Sequence, residues 1–257
     1  MSKAQRAPHT GTFREVGLFH PPGFAPRSVR LYLPPEYDGT VPFPALFVLD
    51  GQDVFDDVLG KTGWQLHRAL EGMDRRAFQP PVVVAIPHGG DWARREAELT
   101  PWPIEGRGGQ AWAFLDWIVR EVVPAARQQL NLLPGPLGAS LGGASWGALT
   151  ALIGHYRHPD QFGGALCLSP ACWVGDFAIF DHLAQRPTPG ISRVYLDCGA
   201  LEAEGRMLPP ARALFEQLRQ RGYGRRQLTF RADLRGDHTE RDWRRRLPRA
   251  VRFLYRK

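Results

Sequence analysis

Two Gly-x-Ser-x-Gly pentapeptides stand back to back in Gly138-Ala-Ser140-Leu-Gly142-Gly143-Ala-Ser145-Trp-Gly147. A serine hydroxyl is a weak nucleophile until a base takes its proton, and it must stand clear of its own backbone to reach a substrate. Small residues on either side allow a sharp strand-to-helix turn that does this. The two serines differ in the residues on their C-terminal side. After Ser145, the run from Trp146 through Ala148, Leu149 and Leu152 to Tyr156 suits a helix, whereas Ser140 is succeeded by Leu141 and two glycines, a poor first turn. Ser145 is the favoured nucleophile.

A serine nucleophile requires a histidine base and, usually, an acid that orients it. In one of the known chain orders for such a triad, the acid and then the histidine come after the serine. After Ser145 the histidines are His155, His158, His182 and His238. His155 and His158 fall on or just past the helix that the serine begins and are expected at the surface. Their spacing could suit a metal, but no carboxylate ligand pattern accompanies it. His238 lies in the polar segment Arg235-Gly-Asp-His-Thr-Glu240, where a loop base would be placed; a capping or surface histidine would read the same way. For the acid, Val194-Tyr-Leu-Asp-Cys198 reads as a strand that delivers Glu202 into the loop beyond it. Asp197 and Glu204 rank behind it, and a solvated loop charge is the alternative. An oxyanion needs backbone N–H donors. Trp146, at a helix N-terminus, supplies one candidate, and Gln52, after the strand ending at Leu49, supplies the other, with Gly51 allowing the chain to turn close to the substrate.

The elements that must hold these residues alternate. Ser28–Pro34 alternates apolar with polar residues as a half-buried strand does, and the segments 43–49, 81–86, 164–168 and 194–198 are continuous apolar runs suited to strands covered on both faces; Gln227–Phe230 reads as a further strand. Helices are expected over 64–70, 112–130 with a break near Pro124, 146–156 and 211–220. A last helix has Trp243, Leu247, Ala250 and Leu254 on one face. Glu105–Gln110 and Arg186–Ser192 read as surface loops. This alternation implies an α/β fold, a mostly parallel central sheet flanked by helices on both faces.

With 257 residues and 43% hydrophobic content, the chain can bury one substantial core. Residues 12–257 are expected to form a single domain behind an N-terminal extension, residues 1–11. No apolar run approaches the length of a membrane span, and Met1–Arg6 leads to polar residues, so a cytoplasmic protein without membrane partners is expected. Cys167, Cys172 and Cys198 lie in or beside apolar runs and read as buried free thiols. The net charge of +7 is a C-terminal feature: Arg219–Lys257 carries 14 basic and 4 acidic residues, the remainder 19 and 22. That distribution describes a solvated basic face better than a nucleic-acid site, so no nucleic-acid partner is expected.

The segments Arg30-Leu-Tyr-Leu-Pro-Pro-Glu-Tyr37, Leu49-Asp-Gly-Gln-Asp-Val-Phe55, Arg95-Glu-Ala-Glu-Leu-Thr-Pro101, Gly143-Ala-Ser-Trp-Gly147, His158-Pro-Asp-Gln-Phe-Gly163 and Leu168-Ser-Pro-Ala-Cys-Trp173 resemble the esterase D and enterochelin esterase family. That family also holds feruloyl esterases, S-formylglutathione hydrolases and mycolyltransferases, and the resemblance runs from about Thr12 to Tyr255. Members place the proline of His-Pro-x-x-Phe-Gly 14 residues after the nucleophile, and Pro159 stands in that relation to Ser145. By the same resemblance, Gly199-Ala-Leu-Glu202 matches the acid motif and Gly236-Asp-His238 the base. Trp146 stands where members usually have Met, Leu, Phe or Tyr, and Ala148 replaces a commoner glycine. The resemblance implies an α/β-hydrolase fold and a cofactor-independent, metal-free serine hydrolase acting on a small-molecule carboxylic ester. Acyl transfer to an alcohol, or a catalytically silent binding role, are the alternatives. Trp173 and Arg95 are candidate substrate contacts, although Arg95 and Glu98 could instead pair to brace a loop.

Overall fold

The computed structural model describes residues 10–55, 63–76 and 78–257. The expectations for Met1–Arg6 and for most of the N-terminal extension therefore lie outside the described residues. Of that extension, the Gly11 N–H donates to Glu71 Oε1 at 2.9 Å.

The elements run β1 (Thr12–Phe19), β2 (Arg27–Leu33), β3 (Ala45–Leu49), α1 (Leu66–Glu71), β4 (Val82–Ile86), α2 (Trp92–Leu99), β5 (Pro103–Ile104), β6 (Arg107–Gly108), α3 (Ala111–Trp117) and α4 (Val123–Gln129). They continue with β7 (Ala139–Ala144), α5 (Trp146–Arg157), β8 (Gly164–Leu168), α6 (Val174–Phe177), α7 (Ile179–Ala184), β9 (Arg193–Gly199), α8 (Leu208–Gln220), β10 (Leu228–Asp233) and α9 (Glu240–Tyr255). Among the described residues the main sheet has eight strands in the order β1-β2-β4-β3-β7-β8-β9-β10. β2 runs opposite to both of its neighbours, β1 and β4; from β4 across the sheet to β10 the pairings are parallel. A mostly parallel sheet must be covered on both faces, and period-two alternation divides the strand side chains between two cores. Ala45, Phe47 and Leu49 of β3 join the core beneath α3, α4, α5 and α8, whereas Leu46 and Val48 join the one beneath α1 and α9. The expected α/β architecture is what forms, and no helix of the described residues is long and apolar enough to cross a membrane.

The helix expected over 112–130 is broken near Pro124 as its sequence suggests, split into α3 and α4 by a π turn, Ile118–Val122, with Pro124 in the first turn of α4. Proline lacks the N–H that an α-helix would use there and its ring crowds the preceding turn, so the ladder is rerouted. Other local readings change. The segment 105–110 read as a loop contains β6, which pairs with β5. Strand β1 and helices α2, α6 and α7 were not expected at all. The apolar residues of β1 (Phe13, Val16, Leu18 and Phe19) do not alternate regularly and most of the strand faces outward, and α6 and α7 are only 4 and 6 residues long. His155 is fully buried rather than at the surface: its Nδ1 bonds the Phe162 carbonyl at 2.7 Å and its Nε2 the Ser192 hydroxyl at 2.6 Å. His158 is half-buried against Asp116, at 3.0 Å. The loop after α5 folds back over that helix, closing a side that helical periodicity alone leaves open. The three cysteines are buried free thiols; burial pushes Cys172 up to about 12 and raises Cys167 and Cys198 as well.

Candidate active site

Strand β7 ends in a turn at Ser145, whose backbone sits at φ 57° and ψ −118°. The turn is held by its own main chain: the Ser145 N–H donates to the Leu168 carbonyl at 2.9 Å, and the Ser145 carbonyl accepts from Ala171 and Leu149 at 3.2 Å each. Gly143 is needed because a Cβ there would stand 2.5 Å from the Gly147 carbonyl carbon, so strand and helix could not approach so closely. Ser140, by contrast, lies inside β7, opposite Leu46 and Gly164 and away from the turn.

The loop between β10 and α9 brings His238 over this turn. His238 Nε2 is 3.0 Å from Ser145 Oγ, and Nδ1 is 2.9 Å from Glu202 Oε2. A carboxylate only accepts, so Nδ1 carries the proton and Nε2 is left to accept from the serine. The loop is fixed at both ends. Leu201 N–H donates to the Gly236 carbonyl at 3.0 Å, and Thr239 caps α9 by accepting from the Asp242 N–H at 3.3 Å. Trp243, one turn into α9, meets the imidazole edge-on with ring centroids 4.9 Å apart.

Glu202 is fully buried and every contact it makes favours the ionised form. It accepts from His238, from Ser169 Oγ at 2.6 Å, from the Gly199 N–H at 2.7 Å and from Arg246 Nη2 at 3.0 Å. Burial pushes this carboxyl up, but the His238 and Ser169 hydrogen bonds and the Arg246 charge outweigh it and hold the group below its ordinary value. Asp197, the second-ranked acid, lies inside β9, where its Oδ1 is 3.3 Å from Arg246 Nη1. Burial pushes it up to about 7, Arg246 opposing and the Glu202 charge adding. Glu204, the third, is exposed and pairs with Arg206.

Gln52 lies in a 3-10 turn, Gly51–Asp53, at the end of β3. Its side-chain oxygen accepts from the His88 N–H at 3.3 Å, which pins the residue at the lip of the site. Gly51 answers to packing: a Cβ there would lie 2.4 Å from the Ile86 nitrogen of β4, while the left-handed turn is made by Asp50, at φ 56°. Asp50 also corrects the reading of Arg95. That guanidinium does not pair with Glu98; its Nε and Nη2 bond Asp50 at 2.7 and 2.8 Å, and Glu98 is taken by Arg27 at 2.6 and 2.8 Å. Arg95 also lies 5.3 and 5.1 Å from the ring centroids of Trp92 and Trp146, which are themselves 4.8 Å apart.

Two cavities meet at Ser145 and His238. One, of ≈ 500 Å³, has mixed walls, with Gln52, His88, Asp91, Arg95 and Glu240 beside Trp64, Trp92 and Trp243. The other, of ≈ 690 Å³, is walled chiefly by Trp92, Trp146, Trp173, Phe177, Met207 and Pro210. Trp173 thus borders the second cavity and is 41% exposed, while Trp64 and Trp117 are core residues. Sequence reasoning missed Asp50, Ser169, Arg246 and Trp92. Asp50 and Ser169 lie within segments already singled out for their family likeness, but nothing local marks either as the partner of a group dozens of residues away. Trp92 stands just before the segment 95–101 and outside it, and Arg246 is one arginine among many.

The chain matches the family model described as "Esterase: Putative esterase" over residues 25–254. It is 25% identical over 245 residues to the uncharacterized protein YbbA of Bacillus subtilis (strain 168), covering 90% of this chain and 93% of that one. Among solved structures it is similar to the BES protein from Bacillus cereus, with a TM-score of 0.74 at 20% identity over 99% of each chain. It is likewise similar to the siderophore hydrolase EstB from Aspergillus nidulans, with a TM-score of 0.75 at 19% identity over 99% of this chain and 97% of that one. The architecture shared with these structures is the α/β-hydrolase fold.

Proposed function

The chain belongs to this esterase family, and on that premise we propose that residues 12–257 act as one catalytic domain hydrolysing small carboxylic esters through Ser145, His238 and Glu202. The hydrogen-bonded chain from Ser145 Oγ to His238 at 3.0 Å and on to Glu202 at 2.9 Å carries the reading. Ser145 Oγ attacks the acyl carbon as His238 Nε2 takes its proton. The tetrahedral oxyanion collapses, the C–O bond to the alcohol breaks, and His238 returns the proton to the departing alkoxide. Water then adds to the acyl-serine with His238 as base, releasing the acid and restoring the hydroxyl. Glu202, kept ionised by its donors, stabilises the imidazolium formed in each half-reaction.

The oxyanion is received by the main-chain N–H groups of Trp146 and Gln52. The first N–H groups of α5 have no intrahelical acceptor, and the helix dipole adds positive potential where negative charge develops. The apolar cavity beside Trp173 takes the less polar part of the ester. The mixed cavity takes the other part and gives the deacylating water a route to the acyl-serine. Arg95, already neutralised by Asp50, shapes the wall between Trp92 and Trp146 rather than supplying a free cation to substrate.

Labelling with a fluorophosphonate and subsequent peptide mapping, together with turnover of p-nitrophenyl esters of graded acyl length, tests this reading. The expected result is a single adduct on Ser145 and ester turnover lost in Ser145→Ala. An adduct on Ser140, or neither labelling nor turnover, would overturn it.

A further inference from the structure

Apart from Arg246, which holds Glu202, the C-terminal arginines lie away from the ester site, yet they do not simply spread over the surface. Arg245, Arg249 and Arg252 recur at helical spacing on α9, on the face away from Trp243, Leu247, Ala250 and Leu254. Across from them, Arg231 projects from β10, the outermost strand of the sheet. With Arg246 behind them, these side chains line a concave groove of ≈ 450 Å³ between β10 and α9. The groove contains neither Ser145 nor His238.

The charges in this groove are unevenly compensated. Arg245 is held by Asp233 at 2.7 Å and Asp242 at 2.6 Å, and Arg246 by Asp197 and Glu202. The side chains of Arg231, Arg249 and Arg252 make no hydrogen bond or ion pair among the described residues, and Asp233, the acid in the groove wall, is already taken by Arg245. A charged residue on an edge strand protects that edge from pairing with another chain, which accounts for Arg231 alone. It does not account for unpaired guanidinium groups brought to the same hollow from a second element, where they repel one another. Guanidinium forks match the geometry of phosphate oxygens, and several of them converging in a small concavity favour a compact anion over an extended polymer.

We propose that the groove between β10 and α9 binds a small, multiply charged oxyanion, a ligand bearing a phosphate or diphosphate group, through Arg231, Arg249 and Arg252. Isothermal titration of the full chain with inorganic pyrophosphate, at ionic strength held constant with chloride, tests it. One saturable site is expected. Since each lost fork removes charge-assisted hydrogen bonds, affinity should fall at least about tenfold in Arg249→Gln/Arg252→Gln and in Arg231→Gln. The double variant Arg120→Gln/Arg219→Gln removes the same charge on the opposite face of the sheet and should bind as the parent does. Absence of saturable binding, or equal weakening in both double variants, would overturn the proposal. So would tight binding of a single-stranded oligonucleotide without any response to pyrophosphate, which would make the face a nucleic-acid surface instead.

Discussion

Ser145 sits at φ 57° and ψ −118°, a region that side-chain-bearing residues avoid, and three main-chain hydrogen bonds hold it there. Such strain costs about 1–3 kcal/mol and persists only where the surroundings over-determine it. Ser145→Gly is therefore expected to unfold at higher urea than the parent, a gain on the order of 1 kcal/mol, while losing ester turnover. Equal or lower stability would show the turn to be relaxed. At the other end of the hydrogen-bonded chain, Glu202→Gln keeps the shape but loses the charge that we propose steadies the imidazolium. Its kcat should fall by about 10³–10⁴ with KM little changed, in line with removal of a triad acid. A loss under tenfold in steady-state kinetics would assign that carboxylate a structural role only.

Helix α9 serves the site by beginning where it does. Its cap, Thr239, adjoins His238, and its first turns supply Trp243 against the imidazole and Arg246 against Glu202. Replacing an N-cap threonine by alanine costs about 1 kcal/mol. Thr239→Ala should show that loss in urea unfolding together with a reduced kcat, and Thr239→Ser should recover both. Loss of stability without loss of kcat would mean that the loop holds His238 independently of the helix. Elements of this length were readable from their apolar spacing: α9, α5 and the five-residue apolar strands fall close to their expected positions. Short or outward-facing ones were not. Helix α6 is a single turn, and β1 is mostly exposed, so neither writes a periodic signal.

At the scale of the whole molecule, two buried groups bind protons in opposite senses. His155 is held neutral, pushed down to about 4 by burial with the Phe162 carbonyl opposing. Its contribution is present above its ordinary value of 6.5 and is lost as pH falls toward 4. Asp197 is pushed up to about 7 from 3.8; its contribution is full below 3.8 and is lost as pH rises through 7. Between about pH 4 and 6.5 the two slopes oppose, each worth about 3 kcal/mol across the window. Asp197→Asn removes one of them. Measured against the parent by denaturant unfolding at pH 4, 5.5 and 7, its stability should climb more steeply with pH, whereas His155→Gln should tilt the dependence the other way. Parallel curves for parent and both variants would show that neither group titrates differently on folding.

The chain by itself determined the strand-to-helix turn at Ser145 and the alternation of strands with helices, because small residues around Ser145 and apolar periodicity act on backbone a few residues away. Tertiary structure decided the partners. Ser145 and His238 are 93 positions apart, Arg246 and Glu202 44, and Arg95 and Asp50 45. Which carboxylate meets the imidazole, which acid takes Arg95, and whether His155 faces water or core depend on strand order and on how loops cross the sheet edge. Those arise from burying two apolar faces at once, a condition that no short stretch of sequence can express.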